Sequence, residues 1–384
     1  MAASPAANED TTLVAGDVVK QRYSVVRKLG QGGFGAVYLV EDMGGECTRH
    51  QYAMKVEACR VPHQLLKMEV LVLKALLTSG RTRHVCKIQD KGTNRKFNYV
   101  VMTLVSHSLS DLRKVCPRRR YSLGTALRVG IQCLEAIEDL HSIDFIHRDL
   151  KPGNYAIGCE QTREQRIVFI LDFGLARKFT NENGEHRTPR ARVGFRGTVR
   201  YASLGCHFNK EQSRKDDVEV WLYQQVEITK GWLPWYFLQD KDEVGKFKEK
   251  ARTSGELLTP DLPPQYGRIL TYIDALGYWT TPNYEYIYGL MREAMVINNV
   301  KEAEPYDWEF GGEAHEETKL MPDAEYNPHK EAPVVKTKET TGKMRKSDQS
   351  RNRLVAAKAS AYTEQKKPPP AQTNRKRMQN TAKN

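Results

Sequence analysis

The sequence contains no apolar stretch approaching the ~20 residues that a membrane-spanning helix needs. Met1 to Asp10 is small and polar, without the charged and then apolar order of a secretory leader. None of the 7 cysteines stands in a Cys-x-x-Cys pair, and no metal-ligand spacing relates His84, His141 and His207. Disulfide frameworks and zinc modules are therefore set aside in favour of reduced thiols in a cytosolic protein. The three histidines are assigned structural roles, and Trp232, Trp235 and Trp308 are assigned to packing. There is no internal repeat.

What is present divides sharply along the chain. Of 384 residues, 40% are hydrophobic and 28% charged, enough apolar material for a substantial core. The formal charge of +13 points to an anionic partner until it is located. Residues 330–384 hold 15 Lys and Arg against 4 acids, a net +11, so everything before carries only +2. That tail is polar, contains proline and has few aromatics, a composition that cannot offset its own ordering entropy. A flexible lead is expected over 1–20, a folded domain over 21–310 and a disordered basic tail over 311–384, with only 353–362 suited to a transient helix.

Inside the domain, SVVRKLG, AVYLVED and QYAMKVE read as strands separated by glycine-rich turns, and KFNYVVMTL as a buried strand. Leu65, Met68, Val72 and Leu76 mark one helix face, with Pro62 suited to its first turn. Leu127, Ile131, Leu134, Ile137 and Leu140 mark another face. IVFILDF is a short buried strand, and the remainder to about residue 310 is mostly helical. The expected fold is α+β with two lobes, 21–104 rich in strands and 105–310 helical, and function between them.

Four motifs carry chemistry. Leu29-Gly30-Gln31-Gly32-Gly33-Phe34-Gly35-Ala36-Val37 fits Gly-x-Gly-x-x-Gly-x-Val, whose glycines let backbone approach phosphate oxygens. Alone it is equally well a glycine-rich hairpin turn. A strand rather than a helix follows, which excludes a dinucleotide fingerprint, and no Gly-Lys-Ser/Thr completes a Walker loop. Lys55 lies in an otherwise apolar strand, where a charge is costly unless paired or able to snorkel to solvent. Glu69, 14 residues on in a helix, is the candidate partner.

His147-Arg148-Asp149-Leu150-Lys151-Pro152-Gly153-Asn154 is the most specific match. It supplies a carboxylate to accept a hydroxyl proton (Asp149), an amide oxygen for a metal (Asn154) and a cation to neutralise a transferring phosphoryl group (Lys151). Asp172-Phe173-Gly174 follows the buried strand, its carboxylate suited to Mg²⁺. Each motif falls on the element its role requires, and in the required order.

These residues resemble the protein kinase superfamily over roughly residues 20–310, and within it the casein kinase I group. Gly197-Thr198-Val199-Arg200-Tyr201-Ala202-Ser203 is similar to the Gly-Thr-x-Arg-Tyr-Ala-Ser that leads into that group's Ser-Ile-Asn-type replacement for Ala-Pro-Glu, where this chain has Ser203-Leu204-Gly205. LLKMEVLVLKAL, LDFGLARKFTN, PRARVGFRGTVRYAS and Ala156 are similar to the tau-tubulin kinase branch. The resemblance implies ATP and Mg²⁺, a serine/threonine acceptor, Met102 as gatekeeper and a hinge from Thr103 through Leu104 to Val105. It also implies Val37 and Ala53 above the base, Ala156 beneath it, and Asp217 anchoring the catalytic loop.

Arg190, Arg192, Arg196 and Arg200, with Lys246 and Lys248 later, are similar to cations that receive an acidic or phosphorylated residue in that group. The alternative is a solvated loop, or arginines paired with Glu182 or Glu185. Two departures, Ser203-Leu204-Gly205 and the pair Gln224/Gln225 in the central helix, bear on docking of the activation segment. A pseudokinase would lack Lys55, Asp149, Asn154 or Asp172, and none is lacking.

The expected partners are ATP and protein substrates with acidic or phosphorylated segments, acted on by a cytoplasmic monomer without membrane contact. For the tail three readings stand: a solubilising extension, a segment drawn to an anionic surface such as microtubules or nucleic acid, or a nuclear address through Arg375-Lys376-Arg377.

Overall fold

The computed structural model describes residues 10–32, 35–44, 50–61 and 64–321. Its first part is a six-stranded antiparallel sheet of β1 (Val18–Val19), β2 (Tyr23–Gln31), β3 (Gly35–Asp42), β4 (Gln51–Ala58), β5 (Ile88–Thr93) and β6 (Phe97–Thr103), in the order β1-β2-β3-β4-β6-β5. Side chains alternate between the two faces of a strand, so the sheet sorts its apolar residues into two layers. Tyr23, Val25, Tyr38, Val40, Met54, Val56 and Tyr99 form one. Leu29, Val37, Leu39, Ala53 and Met102 form the other, which also takes in Ala156, Phe169 and Leu171 from the second lobe. Lys55 is two residues from Ala53 and one from Met54, so the alternation turns it towards the inter-lobe layer.

Helix α1 (Leu65–Thr78) packs its buried Leu66, Glu69, Val72, Leu73 and Leu76 inward. Gln64 provides no side-chain cap; instead Glu57 of β4 accepts hydrogen bonds from the Leu65 and Leu66 amides at 2.9 and 3.1 Å. A carboxylate on these otherwise orphaned donors is worth about 1 kcal/mol, the usual scale of a helix cap.

The second lobe contains β7 (Val105–Ser108), α2 (Leu109–Val115), α3 (Leu123–Ser142), β8 (Phe145–Ile146), β9 (Tyr155–Gly158), β10 (Val168–Ile170), β11 (Arg177–Lys178) and α4 (Leu204–His207). It continues with α5 (Arg214–Lys230), α6 (Lys241–Thr253), α7 (Gln265–Asp274), α8 (Tyr284–Ile297) and α9 (His315–Lys319). Helix α5 is its axis: every residue from Asp216 to Lys230 is buried. Among the described residues no helix is long and apolar enough to cross a membrane.

Gln224 and Gln225 are accommodated by α3. Gln225 donates to the Ala126 carbonyl (2.9 Å) and to the Tyr266 hydroxyl (2.7 Å), and Gln224 to the Cys133 sulfur (3.5 Å). A Cβ on Gly130 would lie 2.1 Å from Gln225 Oε1, so that glycine makes the room.

The folded region is longer than expected at both ends. β1 pairs with β2, and Tyr38 Oη donates to the Thr11 carbonyl while accepting from the Leu13 amide, so residues 11–19 are part of the sheet's packing. Beyond residue 310, Ala314 is fully buried and α9 follows. The tail beyond Met321, including 353–362 and Arg375-Lys376-Arg377, lies outside the described residues.

Candidate active site

An apolar cleft of about 680 Å³ opens between the sheet and β9. Leu29, Val37 and Ala53 line it from the sheet, Met102, Thr103, Leu104 and Val105 from the connection between lobes, and Ala156 and Leu171 from the second lobe. Cys86, Ser106, Ser108 and Gly153 also line it, and nothing in their local sequence marks them. Gly30 and Gln31 end β2, and the Gly32 amide donates to the Gly35 carbonyl, closing the turn. Gly33 and Phe34 lie outside the described residues. Gly35 has a reason besides phosphate access: a Cβ there would sit 1.9 Å from the Val56 carbonyl oxygen of β4.

Lys55 and Glu69 line the cleft's polar end. The Lys55 ammonium is 2.6 Å from Glu69 Oε2 and 3.0 Å from Asp172 Oδ1, so strand, helix and Asp-Phe-Gly turn meet on one cation. Burial works against charge on both acids. It pushes the Glu69 carboxyl up against the opposing pull of Lys55, whereas Lys55 outweighs burial at Asp172 and holds it at about 2. Asp172 adopts the left-handed conformation (φ 64°), a strained geometry for a non-glycine residue. Buried Phe173 beside His147 (ring centroids 5.5 Å apart) packs this turn.

The catalytic-loop residues converge below. Asp217, buried on α5, accepts from the amides of His147 (2.7 Å) and Arg148 (3.0 Å) and contacts His141 Nε2 (2.9 Å), which holds the loop's backbone from beneath. Asn154 Nδ2 donates to the Asp149 carbonyl at 2.8 Å, while its own Oδ1 is buried with no hydrogen-bond partner. Lys151 Nζ reaches Asp149 Oδ2 (3.3 Å) and Thr198 Oγ1 (3.2 Å), and Thr198 donates to Asp149 Oδ1 (2.7 Å). Thr198 was not singled out from the sequence, although it stands in the quoted Gly-Thr-Val-Arg segment. Gly197 permits the approach, since at φ 107° its Cβ would be 2.5 Å from the Arg148 carbonyl.

The cations of the activation segment separate on inspection of their partners. Arg190 is committed to Glu211, not to Glu182 or Glu185: Nε is 2.5 Å from Oε2, Nη2 is 3.1 Å from Oε1, and Arg177 approaches the same carboxylate at 3.6 Å. Arg192, Arg196 and Lys246 are exposed. Arg200 shares buried Glu227 with Arg113, at 3.5 and 3.6 Å, and Tyr201 Oη donates to the same carboxylate at 2.6 Å. Two guanidinium groups thus converge on one buried carboxylate at the end of the segment. Lys248 does not belong with the solvent-facing cations, because it is completely buried and donates to backbone carbonyls.

Docking of the segment survives the unusual Ser203-Leu204-Gly205. Ser203 caps α4 and donates to Asp216 Oδ1 at 2.6 Å, and the Leu204 amide donates to Glu219 at 2.7 Å. Gly205 sits where a Cβ would be 2.8 Å from that same Asp216 oxygen.

Comparison with known sequences agrees with this geometry. Residues 23–242 match the protein kinase domain. A Dictyostelium discoideum protein named "Probable serine/threonine-protein kinase" is 37% identical over 295 residues, 77% of this chain and 58% of that protein. The chain thus spans less than two thirds of that relative. Serine/threonine-protein kinase spe-6 of Caenorhabditis elegans is 34% identical over 296 residues, 75% of this chain and 76% of it. A "Putative casein kinase I" of the same nematode is 31% identical over 301 residues, 77% of this chain and 86% of it. With the cleft, the Lys55–Glu69–Asp172 cluster and the Asp149 loop in one place, and the domain match covering more than half the chain, this protein belongs to the protein kinase family.

Proposed function

We propose that the chain transfers the γ-phosphoryl group of ATP to serine or threonine hydroxyls of proteins, favouring acceptors beside acidic or phosphorylated residues. The observation that carries the reading is the single cation Lys55 held between Glu69 and Asp172 at the polar end of an apolar cleft. That is where a purine nucleotide would leave its phosphates, and an ammonium fixed there would bind the α- and β-phosphates.

Asp149 accepts the proton of the acceptor hydroxyl as the new O–P bond forms and the bond to the ADP oxygen breaks. Lys151, at 3.3 Å from Asp149, offsets charge on the phosphoryl group in transit. Thr198, bonded to both, fixes their separation. Among the described residues no group of three or more His, Cys, Asp or Glu side chains could hold a metal by itself. The unpartnered Asn154 Oδ1 and the Asp172 carboxylate nevertheless suit Mg²⁺, a hard cation that takes a few protein oxygens and completes its shell with phosphates and water. Held there, it would offset the negative charge of the phosphates.

The preference for acidic or primed sites rests on the exposed Arg192 and Lys246. Arg190 is left out of this set because Glu211 already takes its charge. The test is initial-rate phosphorylation of one acidic peptide with and without a priming phosphoserine, using wild type and Lys246→Ala. Priming is expected to lower the peptide KM in wild type and to do so less in the variant. Equal KM values for both peptides in wild type would refute the preference, with the transfer assignment untouched.

A further inference from the structure

Lys248 carries a charge in a place where none is needed for phosphate transfer. It is 0% exposed on α6, two residues from exposed Lys246, a spacing that puts the two side chains on different faces of the helix. No ion pair involving it is found among the described residues. Its Nζ lies 3.0 Å from the Val199 carbonyl, 2.6 Å from the Ala202 carbonyl and 3.0 Å from His207 Nε2. The rings of Tyr223 and Trp235 stand 5.1 and 5.2 Å away.

The protonation of this cage follows from donor and acceptor rules. His207 Nδ1 is 2.9 Å from the Lys241 carbonyl, which can only accept, so Nδ1 carries the hydrogen and Nε2 presents a lone pair. Lys248 therefore faces three acceptors, and only an ammonium has three hydrogens to give. Burial draws its pKa well below the usual lysine range, yet a neutral amine would turn its own lone pair on one of the acceptors. Two carbonyls, an imidazole and two aromatic faces take the place of a carboxylate.

Both carbonyls belong to the backbone between Thr198 and Ser203. Thr198 is bonded to Asp149 and Lys151, the Arg200 carbonyl accepts from Trp235 Nε1 (2.7 Å), and Ser203 is bonded to Asp216. We infer that Lys248 is a positioning residue that clamps residues 199–202 to α6, setting the platform on which an acceptor peptide lies and, through Thr198, the Asp149–Lys151 pair. The inference rests on the proposed kinase activity. Its effect falls on the peptide, since no residue of the ATP cleft is among its contacts.

The experiment compares wild type, Lys248→Met and Lys248→Gln in full-length protein. Peptide and ATP kinetics are measured together with hydrogen exchange at the amides of 196–204. An inert wild type would remove the kinase reading itself and is scored before either variant. With active wild type, Lys248→Met is expected to lower kcat/KM for the peptide by ~10- to 100-fold, the scale of a misplaced reacting group. ATP KM should change less than ~2-fold, and exchange should quicken in 196–204. Lys248→Gln, which keeps two donors for the carbonyls, should lose less, and it carries the test alone should Lys248→Met fail to fold. Unchanged peptide kinetics in the foldable variant, or peptide and ATP terms lost in parallel, would overturn the inference.

Discussion

The proposed phosphate-transfer centre and the segment proposed to carry the acceptor peptide hold their charges in opposite ways. At the centre, Lys55 and Asp172 are about a quarter exposed, and Asn154 Oδ1 has no partner, so bonding capacity is left over for a ligand. Between 198 and 252 three buried charges, Glu219, Glu227 and Lys248, are instead enclosed and bonded. Glu219 accepts from the Leu204 amide, Tyr223 and Arg252, Glu227 from Tyr201 and two arginines, and Lys248 serves three acceptors. Spare capacity marks where chemistry is done; saturated, buried charge marks where geometry is held. The same residue types do both, and only their partners tell them apart.

The contrast is broken most severely by changes at the centre. Asp149→Asn should cost about 10³-fold in kcat, the middle of the scale of proton-transfer catalysis, with the thermal midpoint nearly unchanged. Lys55→Met should lower kcat/KM for ATP by about 10²-fold, because an ammonium aimed at phosphate is lost and Glu69 is left facing Asp172. Steady-state rates with a saturating peptide separate the two. A large stability loss in Asp149→Asn would erase the distinction between the regions.

In the sealed region the expected readout is stability instead. Glu227→Gln removes the buried carboxylate that Arg113 and Arg200 share and should cost about 3 kcal/mol in denaturant unfolding. Gly130→Ala forces a methyl group onto Gln225 Oε1 and should cost about 1–3 kcal/mol. Gln225→Ala in the same chain should recover much of that loss, a coupling that a double-mutant cycle reads directly.

The smallest effect is one of pH. Burial, then the Lys248 charge, lowers the pKa of His207 from 6.5 to about 3, against the opposing pull of the Lys241 and Val199 carbonyls. The folded protein keeps this imidazole neutral down to that value, whereas the unfolded chain takes up a proton below 6.5. Stability from this group is complete above pH 6.5 and declines as pH falls towards 3, by at most about 1.4 kcal/mol per unit. His207→Gln should flatten the stability slope between pH 6.5 and 5 by that amount. An unchanged slope would mean the imidazole is charged in the folded state.

Legibility followed the same divide. Lys55, Asp149, Asn154 and Asp172 were readable because phosphate transfer tolerates few residue types, and those in a set order. The strands β2, β3, β4 and β6 and helices α1 and α3 were readable from periodicity, since each presents distinct faces. Helix α5 was not, because burial on all sides removes the amphipathic stripe. β5, Ile-Gln-Asp-Lys-Gly-Thr, was missed because its side chains alternate between exposed and half-buried and look like loop. Thr198 and Glu227 escaped, and Lys248 was read with the anion-site cations of the surface, because their partners lie 26 to 114 residues away, several of them backbone carbonyls that no motif records. Gln224 and Gln225 looked anomalous until Gly130 and Tyr266 appeared across from them.

Labelled phosphate transfer from γ-³²P-ATP to casein, with wild type and Asp172→Asn side by side at equal ATP occupancy, tests the central assignment most directly. Wild type is expected to label serine and threonine, and Asp172→Asn to fall by about 10³-fold or more. Two equally silent proteins that still bind nucleotide would contradict it and leave a nucleotide-binding scaffold in its place.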